Sequence, residues 1–362
     1  MKILILANDD HGLFTFRKEL INNLMKNSEV YISVPFGNYI ENLERIGAKC
    51  INTTISRHGK NPIKDLKLLN FYKKIIKSIN PDVVLTYTIK PNVYGGIVCS
   101  RLKVKYISNI TGLGNSIENS GILQKISLYL YKKGLKKASH VFFQNEENMD
   151  FMIKRGTINK EIASIIPGSG VNLIENRYEN YPDDNETISF VTIGRIIKEK
   201  GIDELLEAIE ILKNQHSNLS FKIIGSIGED YREKINQACK KGLVEYLGFK
   251  SNIHDIIKNS FATIHPSYHE GTSNVLLETA ACGRPIVASN VPGCNNTFED
   301  GVSGISFEAK NVLSLVNAVN KFLALTYEQK RTMGINGRKK MEKEFDRTIV
   351  IKRYLNEINK LH

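Results

Sequence analysis

The chain contains no tryptophan, only five cysteines in 362 residues, and no apolar run approaching the roughly 20 residues needed to cross a bilayer. Cys50, Cys99, Cys239, Cys282 and Cys294 never form a Cys-x-x-Cys pair. A disulfide scaffold and a zinc site both lose their basis, and reduced structural thiols remain. Glycine fingerprints are incomplete as well. GLGNSI (112–117) and GSGVNL (168–173) each lack the third glycine of a dinucleotide-binding turn, and no GxxxxGK[ST] occurs. Hydride transfer and P-loop hydrolysis are set aside accordingly. The opening MKILILAND reaches Asn8, Asp9 and Asp10 too soon to hold a signal-peptide core, so a cytoplasmic address is expected.

What is present is ample core and an excess of positive charge. With 41% hydrophobic and 24% charged residues the chain reads as folded and soluble, and its length exceeds the size at which single cores stop growing, so two domains are expected. The net charge of +12 calls for an anionic partner: nucleic acid, a membrane surface or a phosphorylated substrate. Between Arg101 and Lys137 eight basic residues face one acid, Glu118. Within that stretch GILQKISLYLYKKGLKKA sets Ile122, Leu123, Ile126, Leu128, Leu130 and Leu135 among lysines. It reads either as a basic amphipathic segment lying on anionic lipid or as a surface helix packing its leucines on a core. No basic segment is interleaved with stacking aromatics, which argues against nucleic acid.

Short β-rich runs recur with room for a helix between them: KILILA, EVYISV, DVVLTY, VKYISNI and HVFFQN, then ISFVTI, FKIIG, VEYLG, ATIHP, PIVAS and SGISF. That alternation predicts α/β domains with parallel sheets. NRYENYPDDNET (176–187), polar and turn-prone, reads as the linker between them. The expected domains are 1–180 and 181–345, with a C-terminal helix over about 346–362 packing back on the first. Two open sheets facing one another would make a two-substrate cleft.

The stretch HEGTSNVLLE (269–278) follows the strand-like FATIHPSY and precedes a helical series closed by Gly283. Thr272 or Ser273 is the expected N-cap, and Gly271 allows a ligand close to the helix-start amides. A phosphate there would leave a ribose near Glu278, roughly 7 Å along the helix, and whatever the phosphate carries near Glu270. GRIIKEKG (194–201) supplies Arg195 and Lys200 at a strand end, a fork-shaped and a mobile cation suited to a diphosphate leaving group.

These residues resemble the retaining glycosyltransferases of family four, whose GT-B fold has two facing Rossmann-like domains with a cleft between them. The family's E-x7-E motif appears as Glu270 to Glu278, and its paired Arg and Lys as Arg195 and Lys200. The resemblance extends through ACGRPIVASNVPGCNNTFEDGVSGISF and IIPGSGVNL, and more loosely through the first half. It implies that Glu270 stabilises positive charge at the donor's anomeric carbon and Glu278 holds the nucleotide ribose. Arg195 and Lys200 would neutralise the departing diphosphate, while the amides of Thr272, Ser273 and Asn274 add hydrogen bonds. Gly12, in DDHGLF, would let the first loop reach the phosphates, and the base would pack near Phe249. No Asp-x-Asp occurs, so metal independence is expected, and no cofactor.

One departure from the family concerns the general base. Where several members place a histidine after a middle strand, this chain has NITGLGN, with Thr111. The leaving phosphate or His11 is the substitute. TYTIKPNVYGG, NITGLGN and FFQNEEN resemble the bacterial branch that extends undecaprenyl-diphosphate-linked glycans for O-antigen, capsule or protein glycosylation. The resemblance implies a UDP-sugar donor, a lipid-linked glycan acceptor, and peripheral contact of the basic segment with the inner face of the cytoplasmic membrane. Lys90 and Asn92 join His11 and Thr111 as expected acceptor contacts. The rival readings are a UDP-sugar 2-epimerase of the same architecture and a non-catalytic sugar-nucleotide-binding scaffold.

Overall fold

The computed structural model describes residues 1–53, 62–114, 117, 121–184 and 187–361. The β-rich runs form two separate, wholly parallel sheets. The first contains β1 (Lys2–Leu6), β2 (Glu29–Val34), β3 (Lys49–Asn52), β4 (Val83–Tyr87), β5 (Lys105–Ile110), β6 (His140–Phe143) and β7 (Ala163–Ile165), in the order β3-β2-β1-β4-β5-β6-β7. The second contains β8 (Ile188–Ile193), β9 (Leu219–Ile224), β10 (Glu245–Tyr246), β11 (Ala262–His265), β12 (Ile286–Ser289) and β13 (Gly304–Phe307), in the order β10-β9-β8-β11-β12-β13. Central strands are mostly apolar and buried because helices cover both faces of a parallel sheet; β4 is buried at every position.

The two-residue period of β1 shows how each face is filled. Ile3 and Ile5 join Leu13, Leu20 and Leu24 of the helix Asp10–Met25. Leu4 and Leu6 point the other way, into a cluster with Tyr72 and Ile76 of the helix Pro62–Ile79 and Tyr131 and Leu135 of the helix Ile122–Leu135. In the second sheet the aromatic trio Phe190, Phe221 and Phe322 fills one core. Leu276, Leu277 and Ala280 of the helix Asn274–Ala281 fill another.

The chain divides into two units, Met1–Ser169 with Thr348–His362, and Gly170–Arg347. The last helix, Arg347–Asn359, puts Val350, Ile351, Tyr354 and Ile358 into the core of the first unit, and Asn109 Nδ2 donates to Tyr354 Oη at 2.6 Å. The boundary falls before Gly170 rather than near 180. Residues 170 and 171 belong to the second unit because Val171 donates to Phe345 O at 2.8 Å and accepts from the Arg347 amide at 3.0 Å.

The expected linker is likewise part of the second unit, apart from residues 185–186, which lie outside the described ones. Tyr181 is buried and donates to Phe261 O at 2.8 Å. Arg284, 1% exposed, clamps the segment by donating to Glu179 O (3.0 Å) and Asn180 O (2.6 Å), with a further bond to Lys258 O at 2.6 Å. Its charge is served by carbonyl dipoles and by the Tyr181 ring 5.6 Å away. Among the described residues no helix is long and apolar enough to cross a membrane. Arg284→Ala, which orphans several buried carbonyls, is expected to cost about 3 kcal/mol of unfolding free energy. An unchanged urea midpoint would return residues 177–181 to a loose connector.

Candidate functional site

The site is built from three loops at the carboxyl ends of strands β8, β11 and β12. After β11 the chain runs through residues 266–273 into the helix Asn274–Ala281, whose N-cap is Ser273. Ser273 gives no side-chain cap; its Oγ lies 3.2 Å from His265 Nε2 instead. Its amide donates to Gly293 O at 2.8 Å, so of the three helix-start amides expected to meet a ligand, the one on Ser273 is already engaged. Thr272 is buried, Gly271 and Asn274 are half-buried, and Asn274 Oδ1 is buried without a hydrogen-bond partner.

Two glycines set the close approaches. Gly201 (φ +66) lets the turn after β8 lie against Pro266, whose carbonyl oxygen would stand 2.1 Å from a Cβ at that position. Gly293 (φ +76), after β12, presses in the same way on the Glu270 and Gly271 carbonyls, each 2.5 Å from where its Cβ would be. The Tyr268 amide ties the turn down by donating to Glu199 O at 2.9 Å.

That packing brings Lys200 onto Glu270. Lys200 Nζ pairs with Glu270 Oε1, and His265 Nε2 lies 3.0 Å from the same oxygen. Burial alone would raise the Glu270 carboxyl, but the Lys200 ammonium and the His265 ring more than offset it, holding the group well below the usual carboxylate range. Cys294 faces the same pair and is pushed well up, chiefly by burial and then by the Glu270 charge. His265 is the residue sequence reasoning missed. A histidine closing an apolar strand carries no signal of its own, and only the turn at Pro266 and Ser267 folds Glu270 back over it.

Glu278 behaves in the opposite way. Burial pushes it up to about 7; the Arg347 guanidinium opposes that shift and Glu175 adds to it. Arg195 follows β8 with its side chain exposed and makes no ion pair among the described residues, so the structure gathers Lys200, not Arg195, at Glu270. Phe249 is exposed just beyond β10.

In the first unit several expectations change. Gly12 lies in the first turn of the helix Asp10–Met25, where its amide donates to Asp9 Oδ2 at 2.8 Å. With Asp9 capping this end and Asp10 beside it, a carboxylate already occupies the place a phosphate would take. Asn92 is fully buried, donating to Asn109 O at 2.8 Å and accepting from Thr86 Oγ1 at 2.6 Å, so it supports strand ends instead of touching an acceptor. The Lys90 ammonium is 2.8 Å from Asp65, which also accepts from Tyr94 Oη at 2.8 Å. His11 is half-buried, edge-on to Tyr39 with ring centroids 4.8 Å apart. Thr111 is half-buried at the end of β5.

The raised Glu278 carboxyl has a thermodynamic consequence. Between about 4.5, its ordinary value, and about 7 the folded chain holds this proton more tightly than the unfolded chain, so stability declines as pH rises through that window. Glu278→Gln should be about 3 kcal/mol more stable than the parent at pH 8, with the difference gone near pH 4. Denaturant unfolding at the two pH values checks it, and equal differences at both would place the proton elsewhere.

Two protein-family models match this geometry's two halves: "Glycosyl transferase 4-like" over residues 2–145 and "Glycosyl transferases group 1" over residues 174–340. The chain is 28% identical to the N,N'-diacetylbacillosaminyl-diphospho-undecaprenol alpha-1,3-N-acetylgalactosaminyltransferase of Campylobacter jejuni, covering 98% of this chain and 97% of that one. It is 25% identical to the UDP-Gal:alpha-D-GlcNAc-diphosphoundecaprenol alpha-1,3-galactosyltransferase of Escherichia coli, over 76% of each. Among solved structures, Anabaena HepE in complex with UDP-glucose aligns with a TM-score of 0.82 at 19% identity, over 99% of this chain and 100% of that one, which bears on the fold. The chain belongs to the group 1, family-four glycosyltransferases of GT-B fold.

Proposed function

We propose that this glycosyltransferase moves a hexose or N-acetylhexosamine from a UDP-sugar to a glycan carried on a lipid diphosphate, with retention of configuration and without a metal ion. The observation that carries the reading is the Glu270 carboxylate, kept ionised by Lys200 at the start of the helix Asn274–Ala281. An anion fixed there meets positive charge developing at the anomeric carbon, and because it is held before the donor arrives, little reorganisation is needed in the transition state. Lys200 and Arg195 stabilise the departing diphosphate; Glu278 accepts from the ribose hydroxyls, and the exposed Phe249 ring receives the base. With the amides of Thr272 and Asn274 the helix start adds neutral donors. The leaving phosphate takes the acceptor proton, since His11 is wedged against Tyr39.

The activities of the Campylobacter and Escherichia relatives support a lipid-diphosphate acceptor. So does the helix Ile122–Leu135. It packs inward through Tyr131, Gly134 and Leu135, yet it also turns Ile122 (76% exposed), Leu123, Ile126 and Tyr129 (60%) outward beside Lys125, Lys132 and Lys133, with no acid in its sequence. Apolar side chains ringed by lysines suit the headgroup region of an anionic bilayer, where such an acceptor resides.

The deciding experiment measures UDP release from a panel of UDP-sugars in EDTA, with and without an undecaprenyl-diphosphate-linked saccharide. Acceptor-dependent release is expected, and Lys200→Ala should lower kcat at least 100-fold through lost leaving-group stabilisation. Release without acceptor would favour an epimerase-like hydrolysis, and none with any sugar a binding scaffold. For the membrane face, Ile122→Ser/Ile126→Ser should abolish co-sedimentation with phosphatidylglycerol vesicles while leaving UDP affinity unchanged; retained sedimentation would remove the helix from that role.

A further inference from the structure

Lys200 is held on both sides by one residue. The short helical turn Lys198–Lys200 and the helix Ile202–Gln215 meet at Gly201, so Lys200 stands at a joint in the backbone. Across that joint lies Tyr268. Its amide donates to Glu199 O at 2.9 Å, just before Lys200, and its Oη donates to Glu204 Oε1 and Oε2 at 2.8 and 2.9 Å, just after. A backbone bond and a side-chain bond from the same residue bracket the lysine.

The anchors are themselves fixed. Glu204 lies in the first turn of its helix, where unsatisfied amides favour a carboxylate. Beside it Asp203 accepts from Tyr231 Oη at 2.6 Å and pairs with Lys234 at 2.7 Å, which ties that turn to the start of the helix Arg232–Lys240. The Tyr268 ring is covered by the Lys310 ammonium, 4.8 Å from its centroid. Burial, and then the Glu204 carboxylate, push the Tyr268 phenol well up, so it keeps its proton and stays a donor.

Tyr268 also precedes Glu270 by two residues, and Ser267 Oγ donates to His269 O at 3.1 Å within the same turn. One residue thus governs the backbone under both members of the ion pair. The lysine ammonium rides on a flexible four-carbon stem, so it is only as well placed as the backbone that carries it. Tyr268 and Glu204 are both half-buried, and a carboxylate with access to water stays charged without a phenol. Stability calls for this bond weakly, and placement of Lys200 calls for it strongly.

We propose that Tyr268 is a positioning residue for the transfer reaction: its hydroxyl, bonded to Glu204, holds the Lys200 turn so that the ammonium meets Glu270 and the departing diphosphate in one fixed place. This rests on the transfer reading above. Tyr268, Glu204, Lys200 and Glu270 all belong to the second unit.

Tyr268→Phe, Glu204→Ala and Glu204→Gln are compared with the parent enzyme, and Tyr268→Phe also in a Lys200→Ala background. The readouts are thermal midpoint and kcat at saturating UDP-sugar and lipid-linked acceptor. Tyr268→Phe should lower kcat about 10-fold while moving the midpoint by less than about 3 °C. Glu204→Ala should match it, and Glu204→Gln, which keeps an acceptor oxygen, should recover most of the loss. In the Lys200→Ala enzyme the same Tyr268→Phe change should alter kcat less than about 2-fold, because a residue that acts through Lys200 has nothing left to place. The undiminished loss in that background, or a midpoint that falls in step with kcat, marks a purely structural role and overturns the proposal. An unchanged kcat in Tyr268→Phe or Glu204→Ala overturns it as well. A parent enzyme silent with every UDP-sugar and acceptor instead defeats the transfer reading, and the positioning role with it.

Discussion

A carboxylate out of bulk water must find positive charge or give up its own, and at Glu270 the second unit supplies the charge. Lys200 arrives from the turn after β8, His265 from the end of β11, and the loop after β12 braces the backbone through Gly293. The Lys200 contact is not local in sequence, since Lys200 and Glu270 are 70 residues apart. The sheet order β8-β11-β12 is what makes them neighbours, by stacking three carboxyl-end loops side by side. Removing the ammonium would strand a buried anion, so the ion pair depends on the fold and the loop conformations depend on the ion pair.

The two glutamates of the motif are pushed apart by their surroundings. Glu270 is ionised because its partners outweigh its burial; Glu278, one helix away, faces the Arg347 guanidinium and Glu175 but is governed by burial, and sits near neutrality. A pair of similar groups with divergent proton affinities is the usual mark of divided labour. The ionised member is suited to countering charge, and the neutral-range one to hydrogen-bonding hydroxyls, where a change of protonation alters which bonds it accepts or donates.

Much of this was readable from residue order. Eleven apolar runs became strands because a parallel strand buried on both faces needs no partner to announce itself. β3 and β7 escaped notice for the converse reason: KCIN and ASI are short edge strands with half-exposed residues and no apolar period. The helix at Asn274 and its E-x7-E spacing were legible because capping chemistry and a C-terminal glycine are local signals. Asn92 and Gly12 misled because a polar residue near a strand end and a glycine near a helix start look alike whether they face a ligand or satisfy the backbone. Only the positions of Thr86, Asn109 and Asp9 decide between those roles.

The misplaced boundary follows from similar physics. Polar, turn-prone composition suggested a connector at 176–187, but polarity describes side chains that reach water and is silent about backbone carbonyls, which here are gripped by the buried Arg284. The chain instead passes between units at 169–170 and again at 347–348. On the second unit's side those passages are paired, Val171 bonding to Phe345 and Arg347, and Arg347 Nη2 reaching Gly170 O at 3.3 Å. The same guanidinium is the main charge opposing the upward shift of Glu278. The proton on the Glu278 carboxylate is thereby linked to the residue that ends the second unit. A change in how Arg347 sits would be felt at Glu278 through charge alone, with no movement of the helix that carries it.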